Sequence, residues 1–236
     1  MQPEQQVLER WHQNATPWIS AIRNQEISSR KLATDQAVLA AVIATQPRNV
    51  LDAGCGEGWL VRALDRLGLQ ASGVDAVPAL VAEATRLGGE FEVASYEDMA
   101  AGKLTGTYDT VVCNFALIGK ESVQGLFRCI PSLLAPGGRF VVQTLHPREA
   151  CGDVPYEDGW RAGSWTGFNS GFRDAPPWYF RTLESWRDLF PASGLQLDSE
   201  TWPIHPLTGR PASVVFTASA PDWDTADATG YGVASR

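Results

Sequence analysis

The residues best suited to chemistry begin with a turn of alternating glycines, Gly54, Gly56 and Gly58, preceded by Asp52 and followed further on by Asp75. Glycines at this spacing let the backbone approach a ligand closely. A helix starting there offers free N–H groups to a phosphate or to the carboxylate of an amino acid. A dinucleotide site needs G-x-G-x-x-G, and Trp59 stands where the third glycine would fall. Asp75 ends the next apolar run, where a carboxylate can accept hydrogen bonds from ribose hydroxyls. A turn that lacks the dinucleotide spacing but keeps a ribose acceptor points to a mononucleoside with an amino-acid tail.

Proton transfer near neutral pH would fall to histidine, of which the chain has His12, His146 and His205. His146 directly follows an apolar run, at the edge where open α/β sheets bind ligands; it is the first candidate for a general base and His205 the second. Each reads equally as a hydrogen-bonded structural histidine. Residues 156–180 concentrate aromatics, among them Tyr156, Trp160, Trp165, Trp178 and Tyr179, as candidate substrate contacts. Such rings can stack on a planar acceptor or hold a cation, whereas Arg161, Arg173 and Arg181 in the same stretch could bind a carboxylate. The sequence leaves these alternatives open, along with a third in which the rings form a satellite core under a long loop.

The elements that must position these groups follow from periodicity. Short apolar runs at 48–53, 71–75, 91–95, 108–114 and 139–145 alternate with amphipathic stretches, the pattern of βα units and a parallel sheet. Leu60, Val61, Leu64 and Leu67 mark one helical face that stops at Gly68; Val123, Leu126, Phe127, Ile130, Leu133 and Leu134 mark another, which Pro131 is expected to kink or end. Residues 135–138 (A-P-G-G) read as a turn. From 147 to 180 the period is lost, as in a lid or binding loop. A helix over 182–192 and strands at 195–202 and 213–219 follow, with an earlier helix at 28–45. The expected fold is α/β: a doubly wound, mostly parallel, seven-stranded Rossmann-like sheet with helices on both faces and an aromatic-rich lid after strand five. The expected divisions are an N-terminal helical cap at 1–45, a binding domain at 46–220 with the lid at 147–180, and a polar tail at 221–236.

Residues 51–58 (L-D-A-G-C-G-E-G) resemble the first motif of class I S-adenosylmethionine-dependent methyltransferases. Residues 73–75 resemble the acidic second motif, 95–98 lie where the family contacts adenine, and 108–114 and 133–142 are similar to the fourth- and fifth-strand motifs. The resemblance implies S-adenosyl-L-methionine as cofactor, with S-adenosyl-L-homocysteine as product. Gly54, Cys55 and Gly56 would line its methionine part and Asp52 would position the turn. Asp75 would hold the ribose, and Ala76, Ser95 and Tyr96 would surround the adenine. Asn114 and Phe115 would lie beneath the donor sulfur, with Asn114 also a catalytic candidate, and Arg30 and Trp11 would close over the cofactor.

Composition narrows the acceptor. Net charge is −8 and no Lys/Arg run occurs, so the electrostatic footprint of a nucleic-acid binder is missing. No apolar stretch approaches a membrane span, and the first ten residues lack a signal-peptide pattern, so a cytoplasmic protein is expected. Four cysteines without ligand spacing point to reduced thiols and to no metal site. The reading is a small-molecule O- or N-methyltransferase. Its rivals are a non-catalytic cofactor-binding protein, an RNA- or protein-directed methyltransferase, and a nicotinamide-dependent oxidoreductase. The sequence does not decide the oligomeric state.

Overall fold

β1 (Asn49–Ala53) and β2 (Gln70–Asp75) are short apolar runs that pair in parallel, Asn49 opposite Gln70 and Ala53 opposite Val74. They belong to a seven-stranded sheet with β3 (Glu90–Val93), β4 (Tyr108–Asn114) and β5 (Leu134–Thr144), all parallel, in the computed structural model, which describes residues 2–168 and 171–221. β6 (Gly159–Arg161) and β7 (Trp178–Phe180) form a separate antiparallel pair. β8 (Gln196–Thr201) and β9 (Val214–Ser219) complete the main sheet in the order β3-β2-β1-β4-β5-β9-β8, with β9 antiparallel to both neighbours.

The two faces of the sheet can be read from alternate residues. Leu51, Ala53, Val111, Cys113, Phe140, Val142 and Phe216 join one buried cluster, whereas Val50, Val112, Val141 and Val215 join the other. On the first face lie α5 (Tyr96–Ala100), α6 (Glu121–Leu133) and α8 (Leu183–Ala192), whose Met99, Phe127, Trp186 and Phe190 are buried there. On the second lie α2 (Asp35–Ala44), entered through a π-helical turn at Arg30–Thr34, and α3 (Trp59–Arg66). The short α7 (Pro147–Ala150) follows β5. Strands buried on both sides explain the near-continuous apolar runs of the sequence.

Local chemistry sets the boundaries. α4 (Pro78–Leu87) opens on a proline, whose fixed φ suits a first helical turn, and ends at Gly88. Thr182 Oγ1 caps α8 by accepting from Ser185 N at 3.1 Å. Three details differ from expectation. Ser95 is not in a strand; it caps α5 through a reciprocal capping box with Asp98. α6 runs two residues past Pro131 to Leu133, the proline giving up its N–H bond to the Phe127 carbonyl one turn earlier. Residues 135–138 do not separate two elements: β5 begins at Leu134, and the A-P-G-G stretch is an irregularity within it, between the Tyr108–Leu134 and Thr110–Arg139 pairs.

The long α1 (Pro3–Arg23) precedes all of this and packs on α4 through Ala15, Trp11, Trp18 and Ile19, against Val77 and Leu80. Asn14 is fully buried and binds the backbone of Arg173 in both directions: its Nδ2 donates to Arg173 O at 2.7 Å and its Oδ1 accepts from Arg173 N at 2.8 Å. Arg10 adds an ion pair to Asp174 at 2.9 Å. The segment before β7 is thereby tied to the N-terminal helix. The tail at 222–236, expected to pack little, lies outside the described residues. Among the described residues no helix is long and apolar enough to cross a membrane.

Candidate active site

The strand order reverses between β1 and β4, and a crevice opens there beyond the C-terminal strand ends. It is a cavity of about 1040 Å³. Its walls include Arg30, Asp52, Gly54, Cys55, Gly56, Asp75, Ala76, Ser95, Tyr96, Asn114 and Phe115. Every cofactor contact expected from the sequence therefore faces one space.

The turn after β1 is held from within. Gly54 N and Cys55 N donate to Val74 O at 2.8 and 3.0 Å. Asp75 Oδ2 accepts from Gly56 N at 2.9 Å, and its Oδ1 accepts from Val77 N at 2.9 Å. Each oxygen keeps a lone pair for a further donor. Burial raises the Asp75 carboxyl, while these two N–H bonds and the nearby His12 lower it. Gly54 has φ +84°, and a Cβ there would lie 2.3 Å from Ala116 Cβ, so only glycine fits. At Gly56 a Cβ would meet only Trp18 Nε1, at 3.7 Å, which leaves that backbone open to the cavity.

Asp52 is 2% exposed and its Oδ1 has no partner among the described residues. Burial pushes its carboxyl up to about 8; Asp75 and Glu57 push the same way and Arg30 opposes them. Glu57 is engaged by Arg62 at 2.5 Å. Arg30 reaches Asp35 at 3.0 Å and lies over the Trp59 ring, 4.7 Å from its centroid. The region around the glycine turn is thus short of positive charge, and it fits a ligand that carries an ammonium group and a sulfonium.

The remaining contacts differ in kind. Ser95 has its hydroxyl committed to Asp98 at 3.0 Å. Tyr96 Oη is 3.3 Å from Ala53 O and 3.4 Å from Ala116 O, bridging the ends of β1 and β4, and burial keeps its phenol well above the usual range. Cys55 is buried against Gly73, and burial beside Asp52 raises its thiol strongly, so it acts as packing. Asn114 Oδ1 is buried at the end of β4 with no partner among the described residues. Phe115 follows with φ +55°, its N–H bound to Gln143 O at 2.8 Å. Positive φ at a bulky residue is a strained conformation of the kind found where a site is over-determined.

Of the expected substrate contacts, Trp165 and Trp178 line the cavity. Tyr156, Trp160 and Tyr179 do not. Tyr156 Oη accepts from Leu183 N at 2.7 Å at the start of α8, and Trp160 packs edge-on against Tyr179 across the β6–β7 pair. His146 is 2% exposed, stands edge-on to Trp202 at 4.7 Å, and is absent from the cavity wall. Burial lowers its pKa, so the ring is neutral. His205 sits in the connection before β9, its Nδ1 accepting from Leu207 N at 3.3 Å, and is likewise away from the cavity. The imidazole that does line it is His12. Among the described residues no group of three His, Cys, Asp or Glu is placed to hold a metal.

Sequence reasoning expected an N-terminal cap and named Trp11 and His12 in it, both of which line the cavity, but missed Val7, Leu8 and Trp18 beside them. The signal was there, since Val7, Leu8, Trp11, Ala15, Trp18 and Ile19 recur at helical spacing. Pro17 and the surrounding polar residues concealed it.

The doubly wound sheet, the glycine turn and the carboxylate ending β2 are the architecture of the class I S-adenosylmethionine-dependent methyltransferase family. A family model described as a methyltransferase domain matches residues 24–200, and the chain belongs to that family. A ubiquinone biosynthesis O-methyltransferase of Xanthomonas campestris pv. campestris is 36% identical over 114 residues, 46% of this chain and 47% of that protein. The corresponding protein of Xanthomonas oryzae pv. oryzae is 38% identical over 104 residues, 41% and 43% of the two chains. The chain spans about half the length of the curated relatives it matches. Among solved structures, a putative S-adenosylmethionine-dependent methyltransferase from Listeria monocytogenes superposes with TM-score 0.62 at 19% identity, covering 80% of this chain and all of that one (100%). A Burkholderia thailandensis 1,6-didemethyltoxoflavin-N1-methyltransferase gives TM-score 0.62 at 20% identity over 89% and 88%. At such identities these two establish the fold.

Proposed function

We propose that this chain binds S-adenosyl-L-methionine and transfers its methyl group to an oxygen or nitrogen atom of a small molecule, releasing S-adenosyl-L-homocysteine. The observation that carries this reading is the single cavity joining the glycine turn, Asp75 and the orphaned Asp52 to an aromatic-walled space beyond β4 and β5. At about 1040 Å³ it lies at the upper end of the usual ligand-pocket range. That is room for a cofactor and an acceptor together.

The cofactor supplies an electrophilic methyl group on a positively charged sulfur. What the chain supplies is alignment. Asp75 accepts from the ribose hydroxyls while pinning Gly56 and Val77. Asp52 faces the ammonium end and Arg30 the carboxylate end. Ala76 and the Ser95–Tyr96 corner border the adenine. Asn114 and Phe115 set the floor where acceptor and methyl donor meet, with the buried amide oxygen of Asn114 available to orient an acceptor O–H or N–H. With the cofactor held by Asp75, Asp52 and the glycine turn, Asn114 and Phe115 keep an acceptor lone pair in line with the cofactor's methyl group. The absence of His146 and His205 from the cavity wall supports catalysis through alignment and exclusion of water, without either imidazole as a base. Trp11 and Trp18 from α1, with Trp165 and Trp178 from the 147–180 lid, cover the site.

The six carboxylates on the cavity wall and the net charge of −8 favour a small molecule over nucleic acid, in the cytoplasm. Calorimetric titration with S-adenosylmethionine and S-adenosylhomocysteine tests the reading. Micromolar binding of both is expected, and binding of neither would remove it.

A further inference from the structure

The sequence leaves open whether the aromatic segment prepares a home for a cation, a planar ring or a carboxylate, because Arg161, Arg173 and Arg181 lie within it. Their positions in the fold decide among these. Arg181 is 3% exposed, with its guanidinium donating to Gly119 O at 3.0 Å and Lys120 O at 3.1 Å. Arg161 donates to Cys151 O and Pro155 O at 3.2 and 2.8 Å and covers the Phe180 ring, 3.4 Å from its centroid. Arg173 gives its backbone to Asn14. None of the three lines the cavity.

Among the described residues on the cavity wall, Arg30 is the one guanidinium, and no lysine is present. Arg30 is already paired with Asp35 and sits at the cofactor end, beside Asp52. His12 stands at that end as well, near Asp75. Opposing them are the carboxylates of Glu4, Glu9, Asp52, Glu57, Asp75 and Glu97. Beyond the ends of β4 and β5 the wall is apolar at Phe115, Ile118 and Leu145. Val7, Leu8 and Trp178 add apolar surface to the same cavity, and Glu4, held by Lys120 N and Ser122 N just past Ile118, brings a carboxylate there. A carboxylate or phosphate brought there would lose part of its hydration with no cation on the wall to meet it. A neutral ring would be buried among apolar and aromatic side chains, and a cation would gain from their π faces and the surrounding carboxylates.

We infer that the acceptor is a planar, predominantly apolar molecule that is neutral or cationic, and that the site discriminates against acceptors bearing a carboxylate or phosphate. The inference rests on the methyltransferase reading and specifies its substrate class. It concerns charge held away from the reacting atom; a phenol that ionises only where it is methylated remains within the class. α1, which supplies Val7 and Leu8, lies before the residues matched by the family model, whereas Phe115, Ile118, Leu145 and Trp178 lie within them.

Three matched probes test it: 2-naphthol, the cationic N-methyl-6-hydroxyquinolinium, and 6-hydroxy-2-naphthoate. Each is titrated calorimetrically into the full chain, first saturated with S-adenosylhomocysteine and then alone. The first two are expected to bind at least about tenfold more tightly than the naphthoate, a difference of about 1.4 kcal/mol. Equal or tighter binding of the naphthoate overturns the inference, and so does failure of all three probes on a protein that binds S-adenosylhomocysteine. If S-adenosylhomocysteine itself does not bind, the methyltransferase reading fails, and the ranking on the free protein still decides the charge preference. Leu145→Arg provides a gain-of-binding control, since Leu145 is half exposed (50%) yet lines the cavity beyond the end of β5. Placing a guanidinium there should raise naphthoate affinity about tenfold or more. No gain would mean that a missing cation is not what rejects the carboxylate.

Discussion

Asp52 and Asp75 stand at adjacent strand ends, yet their surroundings give them different tasks. Asp75 already orders the turn through Gly56 N and Val77 N, and a ribose would add to its charged hydrogen bonds, worth about 1.5–3 kcal/mol each. Asp75→Ala should therefore weaken S-adenosylhomocysteine binding by roughly 10- to 150-fold by calorimetry. Unchanged affinity would take Asp75 out of the ribose site. Asp52, with its carboxyl pushed up to about 8 by burial, is largely protonated at neutral pH before ligand arrives. A positively charged ligand favours the ionised form, so binding should expel a proton and affinity should climb with pH until about 8, then level off. Titrations in buffers of different ionisation enthalpy measure that proton, and Asp52→Asn should abolish its release. In the ligand-free chain the same carboxyl ionises more readily unfolded than folded. Its contribution to stability is complete below the ordinary carboxylate range and is lost as pH rises through about 8, so Asp52→Asn should flatten melting temperature over that window. Much of this site was legible beforehand because the turn and Asp75 are contiguous motifs whose backbone geometry is dictated by glycine. The strained Phe115 was not, because a positive φ at phenylalanine is imposed by packing and leaves no local signal.

At the scale of elements, α1 and the segment before β7 act as two halves of one cover. Asn14 holds them together with paired hydrogen bonds to Arg173, and Trp11 and Trp18 meet Trp165 and Phe168 edge-on or tilted, with centroids 5.8 and 6.3 Å apart. Asn14→Ala would leave the Arg173 N–H and carbonyl without these partners, at about 1–3 kcal/mol. The expected outcome is faster tryptic cleavage after Arg173, by roughly fivefold or more, with slower cutting restored by S-adenosylhomocysteine. Cleavage at the native rate would show that the latch is held elsewhere. The sheet that this cover closes was readable from short apolar runs and βα alternation, since its central strands β1, β4 and β5 are largely buried on both faces and its helices carry clear apolar stripes. The cover was not. Its β6–β7 pair is too short to show a period, and its contacts join residues separated by 159 positions. Pro131 fixed the end of its helix only to within two residues, α6 closing at Leu133.

Across the whole molecule, the cavity wall comes from α1, the π-helical turn, the ends of β1, β2 and β4, and the segment before β7. No single part binds alone, so ligand and fold should be linked as one equilibrium. A ligand that binds only the folded chain stabilises it by about 2.7 kcal/mol at a hundred times its dissociation constant. For a chain of 236 residues that corresponds to about 5–10 °C in melting temperature. S-adenosylhomocysteine should produce this shift. NADH at the same concentration should produce none, because Trp59 occupies the position of the third dinucleotide glycine and packs beneath Arg30. The contrast also separates the site from a generic nucleotide crevice: both ligands carry adenine and ribose, but only one brings the positive charge that the carboxylates around the glycine turn lack. Equal shifts from the two would mean that the adenosine half alone governs binding. In that case Asp52, Arg30 and the charge deficit around the turn would have to be explained by something other than the ammonium and carboxylate of an amino-acid tail.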